Sequence, residues 1–291
     1  MSVTVRVPAT IANLGPGFDC LGLAIAWHNR VTLAPAGTTT IAVTGPGEDR
    51  IPRNDNNLVL RSVRAWEAAV GAAPGEWAID IDNDAPYGRG FGSSAAAIVG
   101  GLVAARAAIG GDANVLALAG EIEGHLDNVS AALLGGITVS GYAPGDAIRI
   151  EPPSRIVPLV CVAAGRLSTK EARASLPAQV PFGDAVANAS RAALLVAVLT
   201  ADDPARLLAA TEERLHQPPR FRIAPETGAL VAALRSEGIA AFLSGAGPSV
   251  AALVAADEAG DIRALAERAA PEGWDVRIVP FEANGAAEAA P

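Results

Sequence analysis

Short stretches of alternating large apolar and polar residues dominate the start of the chain. Val3-Thr-Val-Arg-Val7 has period two and predicts a strand, and residues 21–27, 30–34 and 39–43 predict three more. The spacing changes to helical over residues 57–70, where Asn56 and Asn57 stand as candidate caps. Trp77-Ala-Ile-Asp-Ile-Asp-Asn83 returns to period two, as a half-buried strand. Residues 93–109 are rich in alanine and free of proline, which predicts a helix. Strands follow at 136–142 and 147–150, and Glu151-Pro-Pro-Ser154 reads as a linker. Beyond it a second series begins: strand 156–163, helices 184–199, 204–215 and 226–237, strands 239–243 and 250–255, helix 262–269 and strand 274–281. Strand, helix, strand, strand, helix, strand is the split ferredoxin-like order, here with inserted helices. The fold class is therefore α+β, with one domain over residues 1–153, a second over 154–282, and a short alanine-rich tail, 283–291, expected to be unstructured.

The connection between strand 77–83 and helix 93–109 changes the picture from architecture to chemistry. It reads Pro86-Tyr-Gly-Arg-Gly-Phe-Gly-Ser-Ser, and its three glycines let backbone amides approach a ligand closely, while Ser93 or Ser94 can cap the helix. A glycine-rich turn opening a helix aims unpaired N–H groups and the positive end of the helix dipole at one point, which suits a phosphate. It is not a Walker A loop, since no Gly-Lys-Ser/Thr follows, and it is not the dinucleotide fingerprint, since Ser93 stands where the third glycine belongs. The protein-kinase signatures His-Arg-Asp and Asp-Phe-Gly are missing as well.

Composition narrows the partners. With 291 residues, 51% of them hydrophobic, the chain can bury a sizeable core. A net charge of -9 argues against nucleic acid or an anionic membrane. The N-terminus has no signal-peptide pattern, and no apolar run reads as long and unbroken enough to span a bilayer. Cys20 and Cys161 form neither a disulfide framework nor a CxxC pair, so a reduced, cytoplasmic protein is expected. His28, His125 and His216 are scattered without zinc-type spacing.

Four further polar features stand out against apolar surroundings. Asn13 and Asp19 sit in a loop with Leu14 and Phe18, which reads either as a directional binding loop or as a buried turn bonded to its own backbone. Glu121, Glu123, His125, Asp127 and Asn128 crowd a segment of Leu, Ala and Val; a solvated face would absorb the two glutamates, but His-x-Asp-Asn runs straight into residues that go on to be buried. Glu123 with Ser94 could supply the carboxylate and hydroxyl that a magnesium nucleotide needs. Thr169-Lys-Glu-Ala-Arg173 opens a helix and Gln217-Pro-Pro-Arg220 follows one; two arginines on separate loops could clamp a carboxylate, although most of the 22 basic residues must be surface charges. Ser244-Gly-Ala-Gly-Pro-Ser249 is a second glycine-rich turn, between two apolar strands.

Taken together and in this order, Asn13-Leu-Gly-Pro-Gly-Phe-Asp19, Gly90-Phe-Gly-Ser-Ser-Ala-Ala96, Glu123-Gly-His-Leu-Asp-Asn128 and Ser244-Gly-Ala-Gly-Pro-Ser249 resemble the GHMP small-molecule kinases, over nearly the whole chain. The resemblance implies a two-domain fold, with an N-terminal domain like the second domain of ribosomal protein S5 and a ferredoxin-like C-terminal domain. It implies ATP and Mg2+, with Pro86, Gly88, Arg89, Gly90, Phe91, Gly92, Ser93 and Ser94 around the nucleotide and Ser94 and Glu123 at the metal. The branch it most resembles implies L-homoserine as acceptor, phosphorylated on its side-chain hydroxyl in threonine biosynthesis. Asn13 and Asp19 would hold its amino group, Arg173 and Arg220 its carboxylate, and His125, Thr169 and Gly245 would complete the pocket. Asn128 would hold the reacting hydroxyl; it cannot take up a proton at neutral pH, so the expected chemistry is positioning and charge neutralisation without a protein base. Leu126 and Phe91 depart from the family's usual proline and leucine. Two other readings stay open: a GHMP kinase for a different small alcohol, and a non-catalytic ligand sensor on the same fold. The first strand and the hairpin edges are surfaces through which a homodimer could form.

Overall fold

The computed structural model describes residues 2–141 and 143–289. Tyr142, at the end of the strand expected over 136–142, and the last two residues of the expected tail lie outside them.

Two sheets carry the architecture. The first holds β1 (Val3–Ala12), β2 (Leu21–Pro35), β3 (Thr40–Thr44), β4 (Trp77–Asp82), β5 (Ile137–Ser140) and β6 (Ala147–Ile150). Its main path runs β1-β2-β4-β3, with β5 on the early part of β2 and β6 on β5. The strands expected at 21–27 and 30–34 are one, because alternation continues through His28 and Asn29 while β1 pairs with β2 along its full length. α1 (Leu58–Ala69) crosses between the parallel pair β3 and β4; α2 (Ser93–Ile109), α3 (Val115–Glu123) and α4 (Asp127–Leu134) complete the layer. In α2, Ala95, Ala96 and the run Ile98 to Ala105 are buried, and Val7, Val31, Val59 and Trp66 share their core.

The second sheet contains β7 (Ile156–Val162), β8 (Ala240–Leu243), β9 (Val250–Ala255) and β10 (Asp275–Ile278), in the antiparallel order β10-β7-β9-β8 that the ferredoxin-like pattern requires. Its helices are α5 (Thr169–Ala174), α6 (Phe182–Thr200), α7 (Leu207–Ala210), α8 (Gln217–Ile223), α9 (Pro225–Ser236) and α10 (Ala259–Ala269). The single helix expected over 204–215 does not form. A 3-10 turn at Pro204–Arg206 leads into the short α7. The Glu213 carboxylate then accepts the backbone N–H groups of Leu215, His216 and Gln217, so a new helix starts at Gln217. Arg220 is accordingly inside a helix rather than after one.

Contrary to the sequence reading, α6 is by length and composition long and apolar enough to cross a membrane. It also carries Asp184, Asn188 and Arg191, and packs Leu195, Val198 and Leu199 into the core between the sheets. That core joins Ile11, Leu23 and Ile25 of the first sheet to Val160, Phe242 and Leu253 of the second. The two units thus share one hydrophobic cluster, and burying it fixes their relative position.

The tail is ordered over its described length, against expectation. After β10 the chain crosses back to the first sheet: Ala26 N–H donates to the Pro280 carbonyl and Gly136 N–H to the Glu282 carbonyl. β11 (Ala287–Glu288) then pairs antiparallel with β1. Alanine is a weak strand former, but unpaired edge groups on β1 supply the template that composition hides.

Candidate active site

Between the sheets lies a cavity of about 300 Å³, and nearly every residue singled out from the sequence faces it. The glycine-rich connection forms one wall. Gly92, at φ +65°, sits at the N-terminus of α2 with no side-chain cap. The expected serine caps do other work: Ser93 Oγ accepts the Gly88 N–H at 3.3 Å and donates to the Pro86 carbonyl at 3.5 Å, tying the loop across itself. The first turn of α2 therefore keeps unsatisfied N–H groups at the cavity wall, the arrangement that favours a phosphate. Gly90 is pressed against the β8–β9 hairpin; Ser244 Oγ donates to its carbonyl at 2.6 Å, and a Cβ there would lie 2.2 Å from the Ser244 carbonyl oxygen.

Gly88, Gly90, Gly92, Ser93 and Ser94 line the cavity, while Pro86, Arg89 and Phe91 do not. The Phe91 ring is 1% exposed and edge-on to Trp27 at 5.6 Å, so its apolar side chain belongs to the inter-sheet core. Arg89 reaches instead to the Ala164 carbonyl at 3.1 Å, and Pro86 accepts the Ser93 hydroxyl. These three hold the loop in shape.

Glu123 ends α3, and Gly124, at φ +88°, turns the chain so that α4 starts at Asp127. Ser94 Oγ donates to Glu123 Oε1 at 2.5 Å. Burial, with Asp127 adding to it, holds the Glu123 carboxyl above its ordinary range despite Ser94, His125 and Arg173. A hydroxyl beside a carboxylate short of compensating charge is a donor set that fits a hard divalent cation. His125 Nδ1 lies 2.6 Å from Asp127 Oδ1. Burial lowers the His125 pKa, but the Asp127 bond and the charges of Asp127, Glu123 and Asp19 outweigh it and the net direction is up. The fold also brings ligand atoms of Asp19, His125 and Asp127 within 4.8 Å of one another, a grouping without Glu123 that the histidine spacing does not disclose. Asn128 is held from two sides: its N–H donates to Asp127 Oδ1 at 2.7 Å, and Thr10 Oγ1 donates to its Oδ1 at 2.7 Å.

The other end of the cavity is charged. Asn13, Leu14 and Asp19 all take positive φ (71°, 49° and 58°), a strained loop of the kind that collects at binding sites. Asn13 Oδ1 accepts the Asp19 N–H and its Nδ2 donates to the Gly245 carbonyl, both at 3.0 Å. Arg173 grips Asp19 through two bonds, 3.0 and 2.7 Å. Arg220 is 2% exposed; its Nη1 donates to the Gly245 carbonyl at 3.2 Å, and its Nε has no hydrogen-bond partner among the described residues. Burial and then the neighbouring Arg173 push its pKa down. Phe18 lies beneath both guanidinium groups, 5.7 Å from Arg173 and 5.2 Å from Arg220. Thr169 and Gly245 line the same cavity.

Several lining residues escaped the sequence reading. Asn57 does cap α1, accepting from Val59 and Leu60, but it also faces the cavity, as do Ile51, Pro52, Asn29 and Tyr87. Thr10 left one signal: a hydroxyl in the apolar run Ala9 to Ala12 needs a buried partner.

A phosphate-type loop at the head of a buried helix, facing a charged clamp across the joint of two sheets, defines a small-molecule kinase architecture. Comparison with known proteins agrees: residues 57–136 match the model of the GHMP kinases N terminal domain, and residues 194–271 that of the GHMP kinases C terminal domain. Homoserine kinase of Streptomyces avermitilis is 49% identical, over 98% of this chain and 95% of that one. Homoserine kinase of Streptomyces coelicolor is 51% identical, over 91% and 88%. The crystal structure of homoserine kinase from Cytophaga hutchinsonii superposes with a TM-score of 0.88 at 27% identity, covering 99% of this chain and 97% of that one. The chain belongs to the GHMP kinase family, among its homoserine kinases.

Proposed function

We propose that the chain transfers the γ-phosphate of ATP to the side-chain hydroxyl of L-homoserine, giving O-phospho-L-homoserine and ADP in the cytoplasmic synthesis of threonine. The observation that carries this is the meeting, in one cavity, of the uncapped α2 N-terminus with the clamp of Asn13, Asp19, Arg173 and Arg220. The backbone of residues 88–94 takes the nucleotide phosphates, and Ile51, Pro52, Asn57 and Tyr87 suit the adenosine. Ser94 and Glu123 are the residues to hold Mg2+, which when bound supplies neutralising charge to the β- and γ-phosphates.

In the free protein Asp19 and Arg173 neutralise each other. A zwitterionic amino acid replaces that one ion pair with two, its ammonium taking Asp19 and its carboxylate taking Arg173 and Arg220. A ligand lacking either charge leaves one of these groups without a partner, which is a strong basis for rejection. Asn128, with Oδ1 fixed by Thr10 and one Nδ2 hydrogen directed at Asp127 Oδ1, offers its other amide N–H to the acceptor hydroxyl and so orients it. It takes no proton; a loose transition state needs alignment and stabilised oxygens more than a strong base.

The test is ATP consumption by the purified protein with magnesium, offered L-homoserine, mevalonate, galactose and L-serine in parallel. Turnover selective for L-homoserine is expected. Selective turnover of another alcohol overturns the amino-acid clamp but keeps the phosphate site, and nucleotide binding without any turnover overturns the enzyme reading.

A further inference from the structure

His216 is a fully buried ionisable group that the reaction above does not use. It immediately precedes α8, where Glu213 accepts the N–H groups of His216 and Gln217 at 2.8 Å each, and its ring stacks on Phe18 with 4.9 Å between centroids. Both ring nitrogens face fixed groups. Nε2 is 2.8 Å from the Gly15 carbonyl, and Nδ1 is 3.1 Å from Arg220 Nη1. A carbonyl can only accept and a guanidinium can only donate, so one form satisfies both: the neutral imidazole with its proton on Nε2. Burial, and then the charge of Arg220, push the His216 pKa down to about 3, in keeping with that form.

The consequence falls on Arg220. Both hydrogens of Nη1 are engaged, one by His216 Nδ1 and one by the Gly245 carbonyl. The Nε–H and the Nη2–H groups remain, and Nε has no partner among the described residues although it is buried. These two nitrogens form the side-on edge of the guanidinium, whose paired N–H bonds match the two oxygens of a carboxylate.

We propose that His216 is a positioning residue that fixes which edge of Arg220 is presented to the substrate carboxylate, an inference that rests on Arg220 binding that carboxylate. An arginine free to turn about its last bonds would offer the anion a mixture of edges, and ordering it would then be part of the cost of binding. His216, Phe18 and Gly245 do that ordering in the free protein. The effect belongs in the affinity for the amino acid, while the nucleotide phosphates, held by residues 88–94, are untouched.

Three variants of His216 and one of Arg220 test this, with KM for L-homoserine, KM for ATP and kcat measured on each. His216→Leu removes the acceptor and should raise KM for L-homoserine about 10-fold, with kcat and the ATP KM within about 2-fold of the parent. His216→Asn places an amide oxygen near the Nδ1 position and should recover most of that loss. His216→Gln reaches the Nε2 position instead, leaves Arg220 without its acceptor, and should behave like His216→Leu. If His216→Leu does not fold, the Asn and Gln variants still decide. A Gln variant at the parental KM overturns the inference, as does an equal loss in all three parameters, which marks general loosening. Arg220→Ala separates the two layers: an unchanged KM for L-homoserine overturns the carboxylate assignment itself, whereas a raised KM there beside unchanged values at His216 overturns the positioning role alone.

Discussion

Substituting Gly92 by alanine perturbs the joint between the phosphate loop and the acceptor end, and its effect can be worked from the geometry. The position has φ +65°, so any L-residue there costs about 1 kcal/mol in backbone strain. The new methyl would lie 1.9 Å from Thr10 Oγ1 and 3.0 Å from Asn128 Oδ1, far inside contact distance for the hydroxyl. Thr10 is fully buried, and turning its hydroxyl away breaks the 2.7 Å bond to Asn128, which adds about 1–3 kcal/mol. Gly92→Ala should therefore lower stability by about 3 kcal/mol. With Asn128 released by even about 1 Å, kcat should fall on the order of 100-fold. Thr10→Ala removes the worst clash, leaving Asn128 Oδ1 at 3.0 Å and the residue-10 Cβ position at 3.2 Å. Urea unfolding of the parent, both single variants and the double variant checks the account: the double variant should be more stable than the sum of the singles predicts, by about 1–2 kcal/mol. Strict additivity, or a Gly92→Ala protein with parental stability and kcat, would refute the claim that Gly92 exists to admit the Thr10–Asn128 pair.

Other consequences can be checked separately. Below pH 6.5 an unfolded histidine takes a proton that His216 refuses until about pH 3, so its contribution is complete above 6.5 and is lost as pH falls through that window. His216→Gln should consequently lose about 3 kcal/mol less than the parent between pH 7 and pH 4 in urea titrations, and parallel curves would contradict this. The Asp19–Arg173 pair is partly exposed, at 34% and 39%, so Asp19→Asn should change stability by no more than about 1 kcal/mol. The same variant should cut kcat/KM for L-homoserine at least about 100-fold; a large stability loss with little kinetic effect would make the pair a scaffold. Deleting residues 286–291 removes the Ala286 N–H bond to Ala132 and the β11 ladder, and should lower the urea midpoint by an amount equivalent to about 2 kcal/mol; an unchanged midpoint would show that the crossing strand contributes nothing. Asn128→Ala should slow turnover without removing a limb of the pH–rate profile, and loss of a catalytic ionisation in that variant would reinstate a base.

Much of the site was legible because its residue types conflict with their surroundings. Three glycines between a strand and an alanine helix, and His-x-Asp-Asn leading into a buried run, are costly patterns unless a ligand or partner explains them. Elements were legible where one periodicity persisted, as in α1 and β4. Legibility failed where tertiary partners overrode local pattern. The Glu213 carboxylate ends one helical stretch and starts another at Gln217, a decision made by a side chain that spacing treats as surface. Phe91 lies in a ligand motif yet serves the core, because Trp27 and the inter-sheet cluster are assembled only in three dimensions. Ala287 and Glu288 have no strand signal of their own and take one from the edge of β1. The grouping of Asp19 with His125 and Asp127 joins a loop after β1 to the start of α4, and no spacing rule spans that distance.

The central claim is that one cavity joins a phosphate cradle to a clamp for both charges of an amino acid. The most direct measurement is kcat/KM, at saturating ATP and magnesium, for L-homoserine beside 4-hydroxybutyrate, which lacks the amino group, and 3-amino-1-propanol, which lacks the carboxylate. Each missing charge leaves Asp19 or the arginine pair uncompensated, so both analogues should fall at least about 100-fold below L-homoserine. Turnover of either analogue at a rate near that of L-homoserine would contradict the account.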